Sequence, residues 1–117
     1  MLKIIRGAVC AQNTAESIAN SAVQLIEEIV DRNCLKKDDI AAIFFTATED
    51  LNAANPATAV RTQLQLNKVA FMCAQEMTVA GMLPHCIRAA VFVEMQQDTP
   101  IAPVYLGAAA SLRKDLK

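Results

Sequence analysis

The chain has 117 residues and a mass of 12.6 kDa, enough for one domain with one core. Its net charge is −1 with no basic block, which argues against a nucleic-acid surface, and no apolar run reaches the roughly 18 residues of a membrane span. Hydrophobic residues make up 54% of it, more than a monomer this small readily hides, so an oligomer is expected.

Leu2 to Cys10 alternates as a strand, with Leu2, Ile4, Arg6 and Ala8 on one face and Lys3, Ile5, Gly7 and Val9 on the other. Arg6 is an ion on a mostly apolar face, as an exposed edge strand would allow, and Gly7 permits close approach of a second backbone or a ligand. Asn13 and Thr14 compete to cap a helix that runs to about Arg32 and stops at Asn33. Its stripe of Ile18, Ala22, Leu25, Ile26, Ile29 and Val30 packs on a sheet, while its charged residues form a solvated face. A polar connector, Lys36 to Asp39, leads to a second strand, Ile40 to Thr48. Both faces of that strand are nearly apolar, so each needs cover, one from helices and one from another subunit or sheet.

Asn55-Pro56 opens a second helix, with Asn as cap and Pro at the first helical position, reaching about Leu66 and carrying Arg61. Its first-turn N–H groups suit an anion. A short third strand is expected from Val69 to Cys73, and a long fourth from His85 to Gln96. On the fourth, Ile87, Ala89, Val91, Val93 and Met95 belong under the helices, while Cys86, Arg88, Ala90, Phe92 and Glu94 make a mixed face. Val104 to Leu106 is a short last strand, followed by a helical turn from Gly107 to Leu112. No repeat, low-complexity stretch or boundary interrupts the chain, so residues 1–117 are expected to form a single domain. The pattern β-α-β-α-β-β is α+β, a mixed sheet with helices packed on one face.

The segment Lys68 to Arg88 holds the chemistry. A carboxylate, Glu76, stands just past one strand, and a guanidinium, Arg88, stands just inside the next. If those strands are neighbours, the two line one small cavity. An arginine among small and apolar neighbours on a central strand calls for an anionic partner. Arg6, Arg61, Glu76 and Arg88 are the charges least like surface scatter, and Tyr105 and Cys73 are polar tips near strand ends. There is no Ser-His-Asp set, phosphate loop or metal cluster, and no cofactor is expected. Cys10, Cys34, Cys73 and Cys86 contain no CxxC, so free thiols in a reducing cytoplasm are expected. Several arginines with one carboxylate bind a small polyanion and recognise a hydroxyl, which suits a dicarboxylate-binding module as well as an enzyme.

Dispersed motifs narrow the choice. Ile5-Arg6-Gly7-Ala8, Thr46-Ala47-Thr48-Glu49-Asp50-Leu51, Asn55-Pro56-Ala57-Thr58-Ala59-Val60-Arg61, Cys73-Ala74-Gln75-Glu76-Met77, Cys86-Ile87-Arg88, Val104-Tyr105-Leu106 and Leu112-Arg113 stand in that order. In order and spacing the chain resembles the trimeric, Bacillus-type chorismate mutases over almost its whole length. The resemblance implies a homotrimer with a barrel-like sheet core and active sites between subunits. It also implies the Claisen rearrangement of chorismate to prephenate, toward phenylalanine and tyrosine, with no covalent intermediate. By position, Arg88 would meet the ether oxygen and a carboxylate. Glu76, with the backbone or thiol of Cys73, would meet the ring hydroxyl. Arg6 and Tyr105 would hold the side-chain carboxylate and Arg61 the ring carboxylate, with Asn55, Met72 and Leu112 completing the wall. Asn55 stands where the Bacillus protein has an aromatic residue, Thr58 where it has a lysine, and Met72 replaces a small polar residue. The runner-up is a similar trimer of the enamine/imine deaminase kind, or a small-carboxylate-binding protein. The joint presence of Arg6, Cys73, Glu76 and Arg88 favours the mutase.

Overall fold

In the computed structural model, which describes residues 1–116, five strands and two helices follow one another as the alternation predicts. The strands are β1 (Leu2–Cys10), β2 (Ile40–Ala47), β3 (Ala70–Gln75), β4 (Cys86–Glu94) and β5 (Val104–Tyr105). The helices are α1 (Ala15–Arg32) and α2 (Pro56–Gln63), and a 3₁₀ segment, Gly107–Leu116, ends the fold. The sheet order is β3-β2-β4-β1-β5, with β4 antiparallel to β1 and β2, and with β1/β5 and β2/β3 parallel. The sheet is therefore mixed, as expected.

Thr14 wins the capping contest. Its side chain accepts from the Ser17 amide at 3.0 Å, while Asn13 turns away and accepts from the Asn52 and Ala53 amides at 2.9 and 3.0 Å. Asn13 thus ties the start of α1 to the loop before α2. Asn55 caps α2 through the Ala57 amide at 2.8 Å. The apolar stripe of α1 is buried on the predicted sheet face, where Ile5, Ile43, Phe45, Ile87, Val91 and Val93 meet it. Gly7 lies beneath α1: a Cβ there would come within 2.9 Å of Ile29 Cδ1 and of the Val104 carbonyl oxygen. The close approach inferred from the sequence is that of β5.

The other sheet face carries Ile4, Arg6, Ala42, Phe44, Met72, Ala90 and Phe92, and neither α-helix covers it. Ile4 remains 45% and Met72 65% exposed, so a broad apolar floor faces outward. Among the described residues only its end near Cys86 is closed, where Ala109 of the 3₁₀ segment packs with Ala8 and Cys86.

Two expectations need correction. Arg6 is not on an edge strand, because β5 pairs outside β1. The strands bearing Glu76 and Arg88 are not neighbours, because β2 lies between β3 and β4. Hydrogen bonding to β2 carries β3 on through Gln75, and the Glu76 amide still donates to the Ala47 carbonyl at 2.8 Å. Polar Gln75 is tolerated in the ladder because β3 is an edge.

Candidate active site

Arg88 emerges on the open sheet face between Ala8 of β1 and Thr46 of β2, its partners in register. Beyond Ala8 the next residue in that row is Tyr105 of β5. Beyond Thr46 comes Ala74 of β3. Arg6 lies in the adjacent row, opposite Ala90. Two strand spacings, about 10 Å, separate the backbones of Tyr105 and Arg88, and the Ala8 methyl between them is roofed by Ala109 of the 3₁₀ segment. Toward the row of Arg6 and Ala90 the face stays open, leaving a shallow seat bordered by Tyr105, Arg6 and Arg88. Glu76 reaches the seat from the end of β3, across β2. Its Oε1 lies 3.5 Å from Arg88 Nε and accepts from the Thr46 hydroxyl at 2.8 Å. The Arg88 side chain is 48% exposed and that of Glu76 26%, so the pair faces solvent with its remaining polar atoms.

The start of β4 is clamped. The Cys86 amide donates to Thr48 Oγ1 at 3.0 Å, and Thr48 donates to Asp50 at 2.5 Å. Asp50 in turn accepts from the His85 amide at 3.1 and 3.2 Å. His85 sits at φ 53°, a conformation that this network stabilises immediately before a strand that must hold register. Asp50 is held below the usual carboxylate range, first by the Thr48 hydroxyl and then by the His85 amide and imidazole, with its own desolvation opposing. Arg88, three residues past His85, is therefore fixed by the backbone.

No thiolate stands ready beside it. Burial, reinforced by neighbouring Cys10, pushes the Cys86 thiol up to about 11 although Arg88 pulls the other way. Desolvation raises Cys73 too. The arrangement can grip an anion, accept from a hydroxyl and present fixed donors. A groove of about 630 Å³ lies at the far end of the sheet beside Met1, Asp39 and Glu94. The Met1 amine there is already bonded to Glu94 at 3.1 Å, so that groove is poorly suited to a dianion.

A family model described as chorismate mutase type I matches residues 2–116. The chain belongs to that family. It is 40% identical to chorismate mutase AroH of Bacillus subtilis, over 99% of this chain and 93% of the relative. It is 37% identical to chorismate mutase AroH of Thermus thermophilus, over 100% of this chain and 98% of that one. Among solved structures, a chorismate mutase from Clostridium thermocellum superposes with a TM-score of 0.88 at 39% identity, covering 93% of this chain and 98% of the other. The activity is thus that of a chorismate mutase, an isomerase, and the choice between mutase and deaminase is decided.

The predicted residues of this mutase fall into two groups. Arg6, Glu76, Arg88 and Tyr105 share the open-face seat, and Leu112 packs beside them against the cluster of Ala8, Cys86 and Ala109. Cys73 pairs with Phe45 and so lies on the helix-facing side of β3. Together with Asn55 and Gln75 it lines a different cavity of about 350 Å³. Arg61 stands exposed in the last turn of α2, on that same side. Met72 is on the open face but at its far edge, in the row of Arg6. Within one chain the edge strand β3 separates the groups. Thr46 was not singled out from the sequence as a site residue. The signal was present: it is the lone hydroxyl on the Ala42, Phe44, Thr46 face of an otherwise apolar strand.

Proposed function

We propose that the mutase works as a homotrimer in which the two groups meet across each subunit boundary. Arg6, Glu76, Arg88, Tyr105 and Leu112 would come from one copy, and Asn55, Arg61, Met72 and Cys73 from its neighbour. The observation that carries this reading is the Arg88–Glu76 pair, partly exposed and bordered by an apolar sheet floor that, among the described residues, is covered only at its Cys86 end. A second copy laid on that floor buries Ile4, Phe44 and Phe92, closes the seat and brings up a β3 edge.

In that site chorismate rearranges within itself: a C–O bond breaks as a C–C bond forms, and no proton is transferred. The protein has two tasks, to hold the compact conformer and to steady charge gathering on the ether oxygen. Arg88 has a planar fork for that oxygen and for a carboxylate. Glu76, with Cys73, meets the ring hydroxyl. Arg6 and Tyr105 take the side-chain carboxylate, and Arg61 the ring carboxylate. Among the described residues no helix is long and apolar enough to cross a membrane. A reducing, cytoplasmic setting fits four cysteines that contain no CxxC spacing.

Mixing two inactive variants tests the shared site. Arg88→Ala and Arg61→Ala chains, dissociated and reassembled together, regain part of the chorismate-consuming activity, because some boundaries then hold both arginines. Sedimentation of the wild type gives a trimer. A stable monomer with full activity, or a mixture no better than its components, would overturn the proposal.

A further inference from the structure

The Thr46 hydroxyl donates to Glu76 Oε1 at 2.8 Å, and the same oxygen lies 3.5 Å from Arg88 Nε. Among the described residues, Oε2 of Glu76 accepts no hydrogen bond. A carboxylate and a guanidinium left to themselves pair through two parallel bonds, consuming both carboxylate oxygens and two of the guanidinium donors. Here they do not. The contact is single-point and longer than a good hydrogen bond. Thr46 lies between them in the sheet, in register with Arg88 on one side and Ala74 on the other, so its Cβ is fixed by two strands. Its branched side chain has few rotamers in which to stray.

We propose that Thr46 is a positioning residue for the rearrangement. It holds Glu76 by one oxygen, so the other stays turned to the substrate hydroxyl, and it keeps the terminal nitrogens of Arg88 from being captured by the carboxylate. This inference rests on the roles proposed above for Glu76 and Arg88. Without the hydroxyl, Glu76 swings into a two-point pair with Arg88, and substrate must break that pair to bind.

Thr46→Val removes the donor and keeps the shape and strand preference, whereas Thr46→Ser keeps the donor. Steady-state chorismate consumption is measured for both, for Glu76→Ala, and for the double variant Thr46→Val/Glu76→Ala, with thermal unfolding as the check on folding. Losing a hydrogen bond to a charged group corresponds to about a tenfold to hundredfold fall in kcat/KM for Thr46→Val. Thr46→Ser recovers most of it. In the Glu76→Ala background Thr46→Val costs nothing further, because the group it positions is gone. Three results would overturn the inference. Thr46→Val with wild-type kcat/KM, beside a crippled Glu76→Ala, would sink the role of Thr46 and leave that of Glu76 standing. An equal loss in both backgrounds would make Thr46 merely structural. A fully active Glu76→Ala would remove the role proposed for Glu76, and that of Thr46 with it.

Discussion

Replacing Arg88 by lysine separates charge from geometry. In the wild type Nε points toward Glu76 at 3.5 Å, and in the role proposed above the two terminal nitrogens serve the substrate. A lysine at the same place has one nitrogen, and that ammonium must choose between Glu76 and the ether oxygen. The fold has little at stake. The pair is partly exposed, with 48% of the Arg88 side chain open to solvent, so its loss costs at most about 1 kcal/mol of stability. Melting should move by about 5 °C or less. Catalysis has far more at stake, because a preorganised donor at the developing charge is worth roughly 10²–10³ in kcat. The assay is initial rates of chorismate consumption over a range of substrate, with thermal unfolding and sedimentation on the same samples. We expect kcat to fall by that factor, with folding and assembly unchanged. A well-folded Arg88→Lys with kcat within about threefold of wild type would refute the reasoning, since simple positive charge would then suffice.

Gly7→Ala forces a methyl against the Val104 carbonyl oxygen and Ile29, each 2.9 Å away. It should destabilise by about 1–3 kcal/mol in urea titration and lower kcat/KM by displacing β5, which carries Tyr105. Asn33→Ala breaks a buried clamp in which the amide donates to the Ile29 and Ala102 carbonyls at 2.9 and 3.0 Å and accepts from the Ala102 amide at 2.7 Å. The expected loss is about 1–3 kcal/mol by chemical denaturation. Asp50 gives an acid-side test. Its folded-state value lies below the ordinary 3.8, so its contribution is full above that value and vanishes as pH falls through the lower, folded one. Melting temperature followed downward from neutral pH should therefore decline below about pH 4 in the wild type and more shallowly in Asp50→Asn. Identical slopes would count against the clamp.

The sequence was most legible where one face of an element is buried and the other is not. β1 alternates through nine residues and was placed residue for residue. Of the five positions assigned to the helices, Ile87, Ala89, Val91 and Val93 of β4 do join that core, and Met95, just past the strand's end, packs against it. α1 follows its stripe and its cap, although its buried Val23 was overlooked. β3 was harder. AFMCAQ sits on an edge with most of its residues exposed, so burial imprints no alternation and neither its end nor the facing of Cys73 could be read. Strand order was harder still. Nothing local in Lys68 to Arg88 says that β2 will slip between the two strands of that segment, because pairing is decided by contacts far away in the chain. The expected meeting of Glu76 with Arg88 did occur, but across Thr46. The roles assigned to Arg6, Arg61 and Tyr105 came from family resemblance and could not have come from pattern alone.

The placement of the donors also explains why a sheet suits this chemistry. A reaction without nucleophile or base gains only from groups that are already in position when charge shifts. Arg6, Thr46 and Arg88 stand on three adjacent strands whose register is set by backbone hydrogen bonds, and the loop that delivers Glu76 is tied to Ala47 at its first residue. Their mutual distances therefore vary only as far as the ladder itself flexes. The arrangement exacts something in return. Charged groups built on a sheet face interrupt its apolar surface, so a helix of the same chain closing that face would bury Arg6 and desolvate the Arg88–Glu76 pair. The face can be closed by another copy that leaves a gap where the arginines stand. On that account the uncovered floor and the half-built seat have one cause, and activity should fall on dilution in step with dissociation of the assembly.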